Sequence, residues 1–299
     1  MQAERLTRTH SEFLDEHLGN PTPVLDHGFV RVIDYMGDDA AVVQAARVSY
    51  GKGTESVSTD RGLIRYLMRH WHSTPFEMCE IKLHVKLPIF VARQWIRHRT
   101  ANVNEYSARY SILDREFYIP VAEQLAVQST SNKQGRAEEL TPDQALQVQA
   151  ILMHDASTAY DSYERMLRPK DEGGEFGLAR ELARMNLPAN VYTQWYWKVD
   201  LHNLLHFLRL RADPHAQWEI RQYANVICDL VAGWVPYVWE AFNDYRLQGV
   251  QLSAMEVKFL RDLLADDPHD WLCEDQAKTY GMTSREAQEF VAKFKTGNG

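Results

Sequence analysis

The sequence predicts an α+β fold, a mixed or antiparallel sheet wrapped by many helices, on three observations. Ile81-Lys82-Leu83-His84-Val85-Lys86-Leu87 alternates apolar and polar residues strictly, the pattern of a half-buried strand. Stretches with helical caps and apolar stripes outnumber the strands and show no βαβ rhythm. No Gly-rich GxGxxG turn is present, so a Rossmann unit is not expected.

The elements follow in order. Residues 1–27 read as a loosely ordered lead-in, and Phe29 to Tyr35 as the first strand. Asp38 to Val48 and Asp60 to His70 read as helices. Asp60 suits the cap of the second, whose apolar stripe is Leu63, Ile64, Leu67 and Met68. After the alternating strand, Pro88 fits the first position of a helix to about His98, where its missing N–H costs nothing. Phe117 to Pro120 reads as a short strand, and 121–140 as a polar, variable loop. Thr141-Pro142-Asp143-Gln144 is a capping box that opens a helix to Arg168, ended by Pro169 and Gly173-Gly174. Glu175 to Asn186 is a shorter helix, and Val191 to Val199 a strand by its β-rich composition. Asp200 caps a helix from Leu201 to Arg211, and Asp213-Pro214 opens another to about Phe242. The main domain is expected at 28–243, followed over 244–299 by a helical extension with helices around Ser253 and Ser284.

The chain has 299 residues, 45% hydrophobic and 25% charged, which are ordinary globular values. A formal net charge of −8 argues against broad binding to nucleic acid or membrane surfaces. Cys79, Cys228 and Cys273 form no CxxC pair, which fits reduced thiols and a cytoplasmic location. Met1 to Gly28 lacks the apolar core of a signal peptide, and no apolar run approaches the ~18 residues of a membrane span.

Residues 97–109, Arg-His-Arg-Thr-Ala-Asn-Val-Asn-Glu-Tyr-Ser-Ala-Arg, carry the strongest functional signal. Three Arg and no Lys fall within thirteen positions. Arg presents a planar fork that matches phosphate oxygens in pairs, whereas Lys is a point charge. The stretch suits an anionic, planar, hydrogen-bonding ligand such as a phosphorylated nucleobase. A non-catalytic RNA or nucleotide-binding module is the competing class, and the acidic balance weighs against it.

Arg97-His98-Arg99, seven residues and then Ser107 resembles the RHR-x7-S signature of the flavin-dependent thymidylate synthases, the ThyX family. The similarity runs from about Gly28 to Phe242. It is supported by Ala46-Arg47-Val48-Ser49, His72-Ser73-Thr74-Pro75-Phe76-Glu77, Phe90-Val91-Ala92-Arg93-Gln94-Trp95 and the segment from Leu210 to Ile220. The resemblance implies conversion of dUMP to dTMP, with a methylene from methylenetetrahydrofolate and hydride from FADH2 that NADPH regenerates. It also implies a homotetramer with active sites between subunits.

Flavin contacts are implied for His72, Thr74, Arg97, His98, Arg99 and Glu105, with Ser49 nearby. Asp200, Leu201, His202 and His206 occupy a further flavin-contacting segment, where many relatives carry Asn, Arg and Asn at 200, 202 and 206. Nucleotide contacts are implied for Gln94, Trp95, Ile96, Arg97, Glu105, Tyr106, Ser107, Ala108, Arg109, Arg184 and Arg211. Arg109 and Arg184 are the candidates for the phosphate. Arg211 is placed beside the uracil, where a fixed cation within ~4–6 Å lowers a pKa by roughly one to three units. That favours the deprotonated N3 and drives electron density to C5, with no cysteine nucleophile.

Other readings come from the residues alone. His215 and Gln217, in the first turn of a helix, would meet an electron-rich isoalloxazine or lie on the surface. Trp195-Tyr196-Trp197 is either a stacking platform or strand core. Ser107 lacks a nearby His-Asp pair to activate it as a nucleophile. His202 and His206 share the i, i+4 spacing of zinc sites but lack the intervening Glu and a third ligand, so no metal is expected.

Overall fold

A computed structural model describes residues 8–48, 57–130, 135–265 and 273–294. Contacts divide the chain into two compact units, Met1–Leu247 and Gln248–Gly299.

The first unit begins with helix α1 (Glu12–His17), capped by the Ser11 side chain, and strand β1 (Pro21–Val24). Both fall within the segment expected to be a loose lead-in. Leu14 is fully buried and β1 pairs with β2 (Gly28–Met36), so local apolar anchors order a stretch that is polar on average. Helices α2 (Asp39–Val48), α3 (Val57–Arg69) and α4 (Thr74–Glu77) follow. Asp60 does not cap α3; it lies inside the helix, buried, 2.7 Å from the guanidinium of Arg47 on α2. The Ser49 position lies outside the described residues.

Strand β3 (Glu80–Pro88) buries every second side chain, as its alternation requires. Pro88 is its last residue and stands before, not within, helix α5 (Ile89–Trp95), which is shorter than expected. Strand β4 (Asn102–Glu105) is an edge strand inside the Arg-rich segment; its residues are exposed, so no apolar alternation announced it. Residues expected as a variable loop form a hairpin of β5 (Ala126–Gln128) and β6 (Arg136–Glu139). The strand expected over 117–120 is reduced to one bridge, Phe117 to Val191.

Helix α6 (Pro142–Leu167) has the expected capping box at Thr141 and Gln144. Of the helix expected over 175–186, one turn, α7 (Arg180–Ala183), and a 3-10 turn survive. Strand β7 (Tyr192–Asp200) leads directly into helix α8 (Leu201–Arg211), with the Asp200 side chain accepting from Asn203 N at 2.9 Å. Helix α9 (Trp218–Trp234) starts later than Pro214 suggested, and Pro236 divides it from α10 (Pro236–Phe242).

The main sheet has the order β1-β2-β3-β7-β4 with antiparallel neighbours throughout. Its buried face meets α5, α8 and α9 through an aromatic cluster. Trp95 stacks on Phe207 at 4.6 Å between centroids and meets Trp195, Trp197 and Tyr223 edge-on. A second core under α6 gathers Leu113, Phe117, Tyr160, Tyr163, Ala183 and Val191.

The unit of residues 248–299 contains α11 (Ala254–Ala265), α12 (Glu274–Thr279) and α13 (Ser284–Phe294). The first and last match the two expected helices; α12 is an addition. Among the described residues no helix is long and apolar enough to cross a membrane.

Candidate functional site

Helix α3 ends in backbone bonds from Trp71 N to Met68 O at 3.4 Å and from His72 N to Leu67 O at 3.0 Å. This is a Schellman closure, and it puts Trp71 in the left-handed region at φ 62°. Glycine is the usual residue there, so an exposed Trp in that conformation is a strained placement at a site edge. The Arg246 guanidinium sits 3.2 Å from the Trp71 ring centroid and donates to Met68 O. Burial and the neighbouring Arg209 push the Arg246 pKa down to about 10.

Trp71 and Arg246 both line one cleft. His72, His202, His206 and Arg209 also line it, over an apolar floor that includes Phe76 and Phe242. Residues 202, 206 and 209 share a face of α8, so Arg209 was findable from the i, i+4, i+7 spacing of the two His. Arg246 and Trp71 had no comparable signal, since the first lies past the matched segment and the second after a helix end.

A second cleft collects Glu105, Tyr106, Ser107, Ala108 and Arg184 with Thr193. Strand β4 presents Glu105, whose Oε1 accepts from Thr193 Oγ1 at 2.8 Å, and so works as an anchor. Arg109 lies beside this cleft, exposed, with its guanidinium 2.8 Å from Glu181. The two clefts have no lining residue in common.

The end of α5 brings Gln94 and His98 to Arg211, at the end of α8. Arg211 Nε donates to His98 Nε2 at 3.0 Å, and Nη2 donates to the Gln94 backbone carbonyl at 3.4 Å. Burial, then the charges of Arg211 and His206, lower the His98 pKa to about 4. His98 is therefore neutral near pH 7 and offers the lone pair that Arg211 needs. Burial also lowers the Arg211 pKa, but a guanidinium keeps its charge across the physiological range. Phe207 holds the other side of the imidazole, edge-on at 5.0 Å.

Other expected residues stand apart. Trp95 and Leu201 are fully buried, so their side chains serve the core. Trp195 and Trp197 are core residues and Tyr196 is exposed, which resolves the aromatic run as strand packing. Ile96, Arg97 and Arg99 are exposed on the turn after α5, and Thr74 is exposed at the start of α4, two residues beyond the cleft-lining His72. The Asp200 carboxylate is committed to Asn203 N and Nδ2. His215 is not in the first turn of α9; it lies in the preceding turn, with Nδ1 2.9 Å from Asp213.

The model of a family described as thymidylate synthase complementing protein matches residues 31–237. A flavin-dependent thymidylate synthase from Ruegeria pomeroyi is 65% identical over 283 residues, covering 95% of this chain and 91% of that protein. This chain belongs to the flavin-dependent thymidylate synthase family. It is an enzyme of the methyltransferase class. A family member from Gluconobacter oxydans is 61% identical, with 93% of this chain and 89% of that protein covered. Among solved structures, the UMP/dUMP methylase PolB from Streptomyces cacaoi, bound with 5-Br dUMP, superposes with a TM-score of 0.67 at 32% identity. That match covers 77% of this chain and all of PolB.

Proposed function

We propose that this enzyme methylates dUMP to dTMP, with methylenetetrahydrofolate as carbon donor, FAD as its redox cofactor and NADPH as reductant. The single observation that carries the reading is the Arg211–His98 pair. A neutral imidazole anchors one edge of a charged guanidinium and adds no competing charge. The remaining N–H groups of Arg211 can then hold a uracil whose N3 has lost its proton, which makes C5 nucleophilic.

Phosphate binding falls to Arg184 and Arg109, beside the hydroxyls of Ser107 and Tyr106. Gln94 and the backbone around Trp95, Ile96 and Ala108 complete the nucleotide site, and Glu105 steadies it. The residue chemistry of the first cleft fits a flavin. Imidazole and guanidinium groups donate to ring carbonyls and pyrophosphate, and the Trp71 indole offers an apolar face. His72, Thr74, His202 and His206 would hold the cofactor with Arg97 and Arg99. When bound, the reduced flavin supplies the hydride that completes the methyl group.

A homotetramer with shared sites agrees with the division of these residues between two clefts and with the exposure of Ile96, Arg97 and Arg99. The three cysteines are free thiols, in keeping with a cytoplasmic setting.

The test is spectroscopic. Protein reconstituted with FAD should retain flavin absorbance after desalting and should oxidise NADPH when dUMP is added. Retention of no flavin, or NADPH oxidation indifferent to dUMP, would overturn the reading.

A further inference from the structure

Glu219, in the first turn of α9, is a buried carboxylate with its side chain 2% exposed. Its Oε1 accepts from the Tyr118 hydroxyl at 3.2 Å and from Arg136 Nη2 at 2.5 Å. Its Oε2 accepts from Gln217 Nε2 at 2.8 Å. Arg136 comes from β6 and also donates to Gln124 O, so the hairpin closes over this carboxylate. A buried charge needs such pairing.

The chemistry of this cluster has a direction. An ionised carboxylate only accepts, so Gln217 must turn its NH2 toward Glu219. The carbonyl oxygen of Gln217 then faces the other way, where it accepts from Gln94 Nε2. With its nitrogen engaged, Gln94 keeps Oε1 without a protein donor among the described residues. The same residue holds Arg211 through its backbone carbonyl.

We infer that Glu219 and Gln217 are positioning residues that fix the Gln94 amide with its oxygen as the acceptor offered to the nucleotide, selecting a donor on the substrate. This rests on the reading of the Gln94–Arg211 region as the dUMP site. Two donors are available on dUMP, the uracil N3–H and the ribose 3′-hydroxyl. A deprotonated N3 beside Arg211 would repel an amide oxygen, so the donor selected is the 3′-hydroxyl. A reversed Gln94 would present NH2, which serves a hydroxyl and an acceptor-only 3′ substituent alike, and would lose the preference for a donor.

Calorimetric binding of dUMP and of 2′,3′-dideoxy-3′-fluorouridine monophosphate, whose fluorine can accept but not donate, to the FAD-loaded protein tests this. The parent should prefer dUMP by about tenfold, the worth of one hydrogen bond to an otherwise unpaired acceptor. Glu219→Gln, which can donate to Gln217, should bring the two affinities to within about twofold. Gln217→Leu should do the same, and its half-buried position keeps it informative if Glu219→Gln does not fold. Tyr118→Phe removes a donor to the same carboxylate yet leaves it acceptor-only, so the tenfold ratio should persist. General loosening of the site weakens both ligands together and leaves the ratio unmoved. A parent ratio near one, or a parent-like ratio in Glu219→Gln and Gln217→Leu, overturns the relay. A parent that binds neither nucleotide overturns the dUMP assignment itself.

Discussion

His98 Nε2 accepts a hydrogen bond from Arg211 Nε at 3.0 Å, and this pair joins the Arg-rich segment to the last turn of α8. The two residues are 113 positions apart, so the contact exists only once the sheet has brought α5 and α8 together. It makes the imidazole a support for the guanidinium.

The support has a pH signature. An unfolded His titrates near 6.5, whereas folding holds His98 at about 4. The unfolded chain therefore binds more protons between these values. Stability from this site is complete above about pH 6.5 and is lost as pH falls toward about 4. In urea unfolding across that range, the slope of stability against pH should be shallower in His98→Asn than in the parent. Parallel slopes would show that His98 does not contribute.

Trp95→Ala should act on folding before it acts on ligand binding. The indole is fully buried among Trp195, Trp197, Phe207 and Tyr223. Truncating a large core aromatic costs about 3–5 kcal/mol. Chemical denaturation should show that loss, with Trp95→Phe closer to the parent. A Trp95→Ala protein of parent stability with weakened dUMP binding would restore the residue to the nucleotide site.

The sequence reading succeeded where the signal was local. Alternation located β3, the capping box located the start of α6, and Asp200 located the start of α8. Glu105 to Ala108, at and just after the end of β4, and distant Arg184 do meet in one cleft. It failed where long-range partners decide. Strand β4 forms because β7 offers an unpaired edge, not because its residues alternate. Trp95 sits within a polar motif, but its burial comes from neighbours about 100 positions away. Arg246 reaches the first cleft through a cation–π contact that nothing at its own position announces.

The cysteines should be dispensable for turnover. Burial, and then nearby Asp carboxylates, push Cys79 and Cys228 to about 12. Thiols held that high are poor nucleophiles near neutral pH. A variant with all three cysteines changed to Ala should still form dTMP, apart from any loss of stability at Cys79 and Cys228. Loss of turnover from one exchange, with fold and flavin binding intact, would require a covalent cysteine step.

Shared sites predict rescue between damaged copies. An inactive His72→Ala/Thr74→Ala protein and an inactive Arg184→Ala/Arg211→Ala protein should regain part of the parent activity when dissociated, mixed and reassembled. A fully active monomer in size-exclusion chromatography would contradict this.

The most direct test of the account is dTMP formation by the parent and by Arg211 variants, measured by mass spectrometry with dUMP, methylenetetrahydrofolate, NADPH and FAD present. The parent should form dTMP only when FAD is supplied. Arg211→Ala should lower the rate by about 10²–10³-fold, comparable to removing one charge-stabilising donor from an active site. Arg211→Lys should recover part of it, because the charge returns without the planar fork. An Arg211→Ala protein that forms dTMP at the parent rate, or a parent that forms it without flavin, would contradict the account.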